Sequence, residues 1–155
     1  CSATFTGTAN LYLNGLGPEL LGDPGFDLAN PVGGTLNPAS AYWQIENSGL
    51  TANSRIENGL AKFFINGATT TAIKKPGILN DGDRYLLTYT IPSNSPSTGA
   101  LVLQDASEND TDVFLDITTG THKLEFVSLG ADFVMKRSGS SVNVFMSSIS
   151  LKKVL

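Results

Sequence analysis

Phe133-Val134-Met135-Lys136-Arg137-Ser138-Gly139-Ser140-Ser141-Val142-Asn143-Val144-Phe145-Met146-Ser147-Ser148-Ile149-Ser150-Leu151 alternates apolar and polar side chains along most of its length. Successive side chains of a strand point to opposite faces, so this pattern describes strands with one face on a core. The alternation stands on both sides of the Ser-Gly segment from Arg137 to Ser141, which reads as the turn of a hairpin closing an antiparallel sheet. Upstream, His122 to Val127 carries the same pattern. Further strand candidates recur at short intervals: Tyr42 to Ile45, Gly59 to Ile65, the β-branched run Thr69 to Ile73, Arg84 to Ile91, Ala100 to Leu103 and Val113 to Ile117. Between them stand Asn66-Gly67, Asn80-Asp81-Gly82-Asp83, Pro92 to Ser97 and Thr118-Thr119-Gly120, all of it turn chemistry. Residues 3–16 read as one or two more strands, and the stretch from Gly17 to Ser40 holds too much Pro and Gly for a helix. About eight to ten short strands with no helical period predict an all-β sandwich or barrel.

A chain of 155 residues is expected to form one domain with a core large enough to need no staples. Its only cysteine is residue 1, so no internal disulfide can form and stability must come from packing. The net charge is −4, and the ten Lys and Arg include isolated pairs, Lys74-Lys75, Lys136-Arg137 and Lys152-Lys153, without aromatic interleaving. Nucleic acid is therefore not an expected partner. No apolar run approaches the ~20 residues of a membrane-spanning helix, so membrane insertion is not expected either. The chain opens without Met, and its first residues lack the basic start and apolar core of a signal peptide. It reads as a piece of a longer polypeptide, with residues 1–18 a junction continuing from an upstream part and 19–155 the domain proper.

The order of several segments resembles a known family. Glu19-Leu20-Leu21-Gly22-Asp23-Pro24-Gly25-Phe26 is similar to the opening "N-L-L-x-N-G-x-F" strand of β-jelly-roll carbohydrate-binding modules. Ala41-Tyr42-Trp43-Gln44-Ile45 resembles their "G-W" strand, and Asn58 to Phe63 their "N-G-A-L-x-F" strand. Asn80 to Tyr89 is similar to their "x-x-G-x-x-Y-x-L-x-F" strand, and Ser147 to Leu151 stands where such modules end "D-D/N-V-S-L". The resemblance implies a two-sheet antiparallel jelly roll that binds carbohydrate without turning it over. Such modules occur in polysaccharide-degrading enzymes and, in degenerate form, in bacteriophage tail fibres and other virion proteins. The Ser/Thr/Asn/Gly-rich, cysteine-poor composition is nearer the second group. Members often hold a structural Ca2+ through a carboxylate in the last strand; the matching Ser147 and Ser148 bring no charge to that hard cation.

Few residues here invite catalysis. The lone histidine, His122, shares a face with Leu124 and Phe126, the position of a core-edge histidine rather than of a general base. One His and no internal Cys cannot build a His/Cys zinc site, and nothing resembles a nucleophile elbow. The carboxylates fall in turns, as solvated acids rather than as a general acid and base pair. Asp105, Glu108, Asp110 and Asp112 read first as a plain acidic loop, the segment lacking the glycine and glutamate of an EF-hand loop; convergence of the four on a Ca2+ is the alternative. No other cofactor is expected.

Sugar binding needs aromatic faces for the ring and polar groups for its hydroxyls. Trp43, the lone tryptophan, is either such a platform or a large core residue. If Ala61, Phe63 and Ile65 point inward, then Leu60, Lys62 and Phe64 point outward, and an outward aromatic meets a ligand or a partner. By the same alternation Leu86, Thr88 and Thr90, Val102 and Gln104, and Lys123, Glu125 and Val127 face away from the core. The candidate ligand residues are therefore Phe64, Trp43, Tyr42, Lys62, Gln104, Lys123 and Glu125. The expected role is non-catalytic attachment to a cell-surface polysaccharide or oligosaccharide, outside the cell at a virion surface, within a homotrimer or larger assembly. A purely structural fibre domain using outward Leu60, Phe64, Leu86 and Val102 for subunit contacts is the rival, ahead of a glycosidase.

Overall fold

Tyr85, Leu87, Tyr89 and Ile91 are buried, while the intervening Arg84, Thr88 and Thr90 reach the surface, as a strand with one face on a core requires. This strand belongs to a sandwich. The computed structural model describes residues 15–27, 43–45, 54–66, 72–104 and 113–155. Eleven strands and no helix are found among them.

One sheet has four strands in the order β1 (Leu16–Glu19), β11 (Ser148–Val154), β6 (Arg84–Ile91), β9 (Gly120–Val127). The other has seven: β2 (Gln44–Ile45), β5 (Ala72–Lys75), β10 (Phe133–Met146), β4 (Leu60–Asn66) and β3 (Arg55–Glu57) in line, with β7 (Thr98–Gln104) also on β10 and β8 (Val113–Phe114) on β7. All pairings are antiparallel. Inward residues of both sheets, among them Phe63, Ile73, Leu101, Leu103, Met135 and Val144 on one side and Tyr85, Leu87, Tyr89, Ile149 and Leu151 on the other, form one apolar cluster. Each fully buried side chain of this kind contributes about 1.5–3 kcal/mol, which makes the inter-sheet core the principal stabilising term.

The buried tyrosines keep their polar ends satisfied. Tyr85 Oη accepts from the Asn80 amide at 2.9 Å, and Tyr89 Oη donates to the Asp116 carbonyl at 3.0 Å. Glu19 ties β1 to β11: its carboxylate accepts from Leu151 N at 2.9 Å and from Ser150 Oγ at 2.5 Å.

The expected hairpin at Arg137–Ser141 is not there. Phe133 to Met146 is a single 14-residue strand. Its first part pairs with β5, its second with β4, and β7 runs along the opposite edge. Between Ser138 and Asn143 the register against β7 slips, because β10 spends five steps where β7 spends two, Ala100 to Thr98. Gly139 at φ +90 sits in this bulge. The phase of the strand reverses across it: Phe133 and Met135 point inward before, Val142, Val144 and Met146 after. A Ser-Gly-Ser segment serves a bulge as well as it serves a turn. The chain instead changes sheets at Ser147, whose amide donates to the Thr90 carbonyl at 2.9 Å.

The sharpest hairpin lies elsewhere. Asn58 (φ +54) and Gly59 (φ +69) make the two-residue loop between β3 and β4, with both central residues in the left-handed region as a type I′ turn demands. At Asn80-Asp81-Gly82-Asp83 the expected turn is present, with Asp83 N donating to Asn80 O at 3.2 Å.

Candidate functional site

On the outward face of the seven-stranded sheet, β3, β4 and β10 lie side by side. Ala61 and Phe63 are fully buried, so Lys62 and Phe64 between and beyond them point out. On β10, after the phase reversal, Val142, Val144 and Met146 point in, and Asn143 and Phe145 point out. Register sets Lys62 between Arg55 and Phe145, and Phe64 beside Asn143. Arg55, Lys62, Phe64, Asn143 and Phe145 together line a groove of about 350 Å3, within the range of small-ligand sites.

The chemistry of this groove is mixed. Phe64 and Phe145 are diagonal cross-strand neighbours and both half-buried, so two phenyl rings supply apolar area on an open surface. The Lys62 ammonium lies 5.2 Å from the centroid of the Phe145 ring, within cation–π range. Glu57 Oε2 accepts from both Lys62 Nζ and Arg55 Nε, each at 2.9 Å. The hydrogen bond from Lys62, then that from Arg55, holds the Glu57 carboxyl below the usual carboxylate range. These groups are partly solvated and the pairs contribute little to stability; their effect is to fix the two cations at the rim. Asn143 Oδ1 is buried and has no hydrogen-bond partner among the described residues. A buried carbonyl left this way costs on the order of 1–3 kcal/mol, which a ligand hydroxyl would offset.

The residues picked from sequence divide. Phe64 and Lys62 stand in the groove. Gln104 is on the same sheet but opposite Val134, nine residues along β10 from Asn143. Lys123 and Glu125 are on the outward face of the other sheet, and Glu125 pairs with Arg84 at 3.0 Å. Trp43 is 1% exposed and packs on Phe26 with ring centroids 5.4 Å apart, so it serves the core and not a surface platform. Tyr42 lies outside the described residues, as do Asp105, Glu108, Asp110 and Asp112. Leu86 and Val102 are on outward faces as expected but only 7% and 0% exposed. Their cross-strand neighbours, Lys152 and Glu125 for Leu86, Lys136 and Phe114 for Val102, are long enough to cover them. Neither is available as an apolar contact surface.

Arg55, Asn143 and Phe145 were not anticipated. Phe145 was readable, since Val142, Val144 and Met146 alternate against it; assuming a hairpin obscured the phase. Arg55 falls on a three-residue strand with too short a pattern to recognise.

His122 packs against Tyr89, ring centroids 5.3 Å apart. Its Nε2 lies 2.7 Å from the Thr118 carbonyl and its Nδ1 3.5 Å from Asp116 Oδ2. Both ring nitrogens are thus engaged in closing the Asp116–Gly120 turn. The Asp116 carboxyl is held low mainly by the Thr118 amide and hydroxyl. No group of three or more His, Cys, Asp or Glu able to hold a metal is found among the described residues. A second hollow, of about 230 Å3, opens at the sandwich edge between Leu103 and Val113 and the β9 residues Glu125, Phe126 and Val127. Among its lining residues there is no pair of outward aromatic rings.

At the level of sequence the chain matches no family model and no curated protein. Its fold is similar to a solved structure, the second N-terminal cellulose-binding domain of β-1,4-glucanase C from Cellulomonas fimi. The TM-score is 0.50 at 14% identity, over 88% of this chain and 95% of that one. At that identity the likeness concerns architecture, and function must be argued from the groove.

Proposed function

We propose that this domain is a non-catalytic glycan-binding module, and that a sugar chain lies in the groove across β3, β4 and β10. The observation that carries this is the outward pair Phe64 and Phe145, flanked by hydrogen-bonding groups of Arg55, Lys62 and Asn143, on one face of the seven-stranded sheet. Flat apolar sugar faces stack on such rings, while hydroxyls pair with the amide and the cations. The architecture of a cellulose-binding domain is consistent with this use of the scaffold. Attachment to cells from a virion surface protein is the finer form of the reading, supported by the sequence resemblance and by the polar, cysteine-poor composition.

The test is retention of the purified domain on a glycan array, beside Phe64→Ala and Phe145→Ala. Each substitution should lower affinity about tenfold, the equivalent of ~1.4 kcal/mol, with no change in melting temperature. Labelled domain should also decorate whole cells, and periodate oxidation of their surface sugars should abolish the signal. Binding to no glycan, or binding indifferent to both phenylalanines, would refute the proposal. A structural role has one observation in its favour, the 66% exposure of Phe114 on β8. In that case the domain would sediment as an oligomer that Phe114→Ser disperses.

A further inference from the structure

The charge of this protein is not spread evenly over its two sheets. The strands of the seven-stranded sheet, about a quarter of the chain, carry six of the ten Lys and Arg: Arg55, Lys62, Lys74, Lys75, Lys136 and Arg137. Within those strands there is one carboxylate, Glu57, of the fourteen in the sequence. In a chain of net charge −4 the cations are thus concentrated in the strands of one sheet. Alternation places four of the six cations on the outward face with the groove. Lys62 and Arg55 are at its rim, while Lys74 and Lys136 extend the row along β5 and β10, flanking the inward Ile73 and Met135.

We infer that the sugar chain bound on this face is acidic, its carboxylate or sulfate groups pairing with Arg55 and Lys62 while its rings rest on Phe64 and Phe145. The inference rests on the glycan-binding reading and narrows it to a ligand class. The site already shows how it handles such a group. One oxygen of Glu57 is held by Arg55 Nε and Lys62 Nζ at 2.9 Å each, leaving one positive charge in excess. Among the described residues the Arg55 side chain has no other hydrogen-bonding partner than Glu57, and a guanidinium carries four further N–H donors suited to a planar anion. A neutral glucan would give these cations nothing to pair with, and covering them would cost desolvation. An anionic sugar repays it.

Lys136 and Phe145 are nine residues apart on β10, roughly 20–30 Å at strand rise after allowing for the bulge, so a polymer seated in the groove can extend as far as Lys136. Glu57 then acts as an internal competitor for the same two cations.

The test is a binding panel with the whole domain: polygalacturonate for carboxylates, dextran sulfate for sulfates, xylan and cellulose oligosaccharides as neutral chains, and single-stranded DNA. We expect retention on one or both anionic polysaccharides, at least tenfold above the neutral chains and DNA; comparing the two identifies the acid. Raising salt from about 0.1 to about 1 M, which shortens the screening length from ~10 to ~3 Å, should weaken that binding at least tenfold. Arg55→Gln and Lys62→Gln should each weaken it fivefold or more. Glu57→Gln should strengthen it, a sign that a merely structural Glu57 would not give. If Glu57→Gln does not fold, Lys136→Gln supplies the check, weakening binding of the polymer but not of a short acidic oligosaccharide. Phe64-dependent binding of neutral chains, indifferent to salt and to Arg55, would overturn the inference and leave the glycan-binding proposal intact. DNA bound as tightly as the acidic polymers would also overturn it. Retention on no saccharide would remove both.

Discussion

Replacing Gly99 by alanine is expected to be among the most damaging single changes available in this protein. Gly99 stands on β7 at φ +85, beside the bulge of β10. A Cβ added there would lie 2.3 Å from the Ser141 carbonyl oxygen and 2.8 Å from Val142 Cα, both backbone atoms that no side-chain rotation can move. Two costs combine. An L-residue in the left-handed region costs roughly 1–2 kcal/mol, and forcing apart two packed strands costs about 1–3 kcal/mol. The expected loss of about 2–5 kcal/mol is a large part of the ~5–15 kcal/mol that stabilises a typical domain. In urea unfolding, with a slope of about 1–3 kcal/mol per molar, the midpoint should fall by about 1–2 M. Gly77 and Gly82 provide the control. They have φ +69 and +79, but nothing among the described residues lies within 4 Å of an added Cβ. Alanine at either should cost only the backbone term. If Gly99→Ala proves no worse than Gly82→Ala, the close passage of β7 over β10 is wrong, and the strand register around the bulge falls with it.

Trp43→Ala should cost about 3–5 kcal/mol through the cavity left beside Phe26, read as a lower urea midpoint; an unaffected midpoint would return Trp43 to the surface. The Asp83–Lys153 pair, 2.6 Å apart, makes a pH prediction. The hydrogen bond from Lys153 holds the Asp83 carboxyl below its ordinary 3.8, so its stabilising effect is present at neutral pH and is lost as pH falls from about that value through the folded-state one. The urea midpoint should decline more gently with acid in Asp83→Asn than in the parent, and parallel declines would contradict this. At the alkaline end, burial pushes the Tyr89 phenol up to about 12. Its neutral form is favoured in the folded state, so stability should fall as pH rises from about 10 towards 12. Tyr89→Phe should remove that component of the alkaline loss, and an unchanged alkaline profile would show that the phenol is not buried as described.

The sandwich was legible wherever one face of a strand is wet and the other dry. Arg84 to Ile91 was readable to its ends because Tyr85, Leu87, Tyr89 and Ile91 meet the opposite sheet and Arg84, Thr88 and Thr90 do not. The pattern failed where local chemistry is ambiguous. Arg137 to Ser141 holds residues that suit both a turn and a bulge, and only the partners on either edge of β10 decide between them. Asn58-Gly59 is an Asn-Gly pair of the kind that marks a two-residue hairpin, but the family-like strand pattern that begins at Asn58 masks it in the sequence. For the site, alternation was enough to turn Phe64 and Lys62 outward. It could not assign them neighbours, because Arg55, Asn143 and Phe145 join them through long-range register. Gln104, Lys123 and Glu125 were equally outward by pattern and belong to other patches for the same reason.

β10 and β11 lie inside their respective sheets, with hydrogen-bonded strands on both edges, and only Ser147 separates them. During synthesis, then, the described strands before Leu129 can form only the separate pairs β2–β5, β3–β4, β7–β8 and β6–β9, and neither sheet can be completed until residues 133–154 have left the ribosome. Acquisition of structure is therefore expected to be late and all at once. A ribosome stalled before that stretch would display a protease-sensitive chain, and adding the missing segment in trans should convert it to a resistant one.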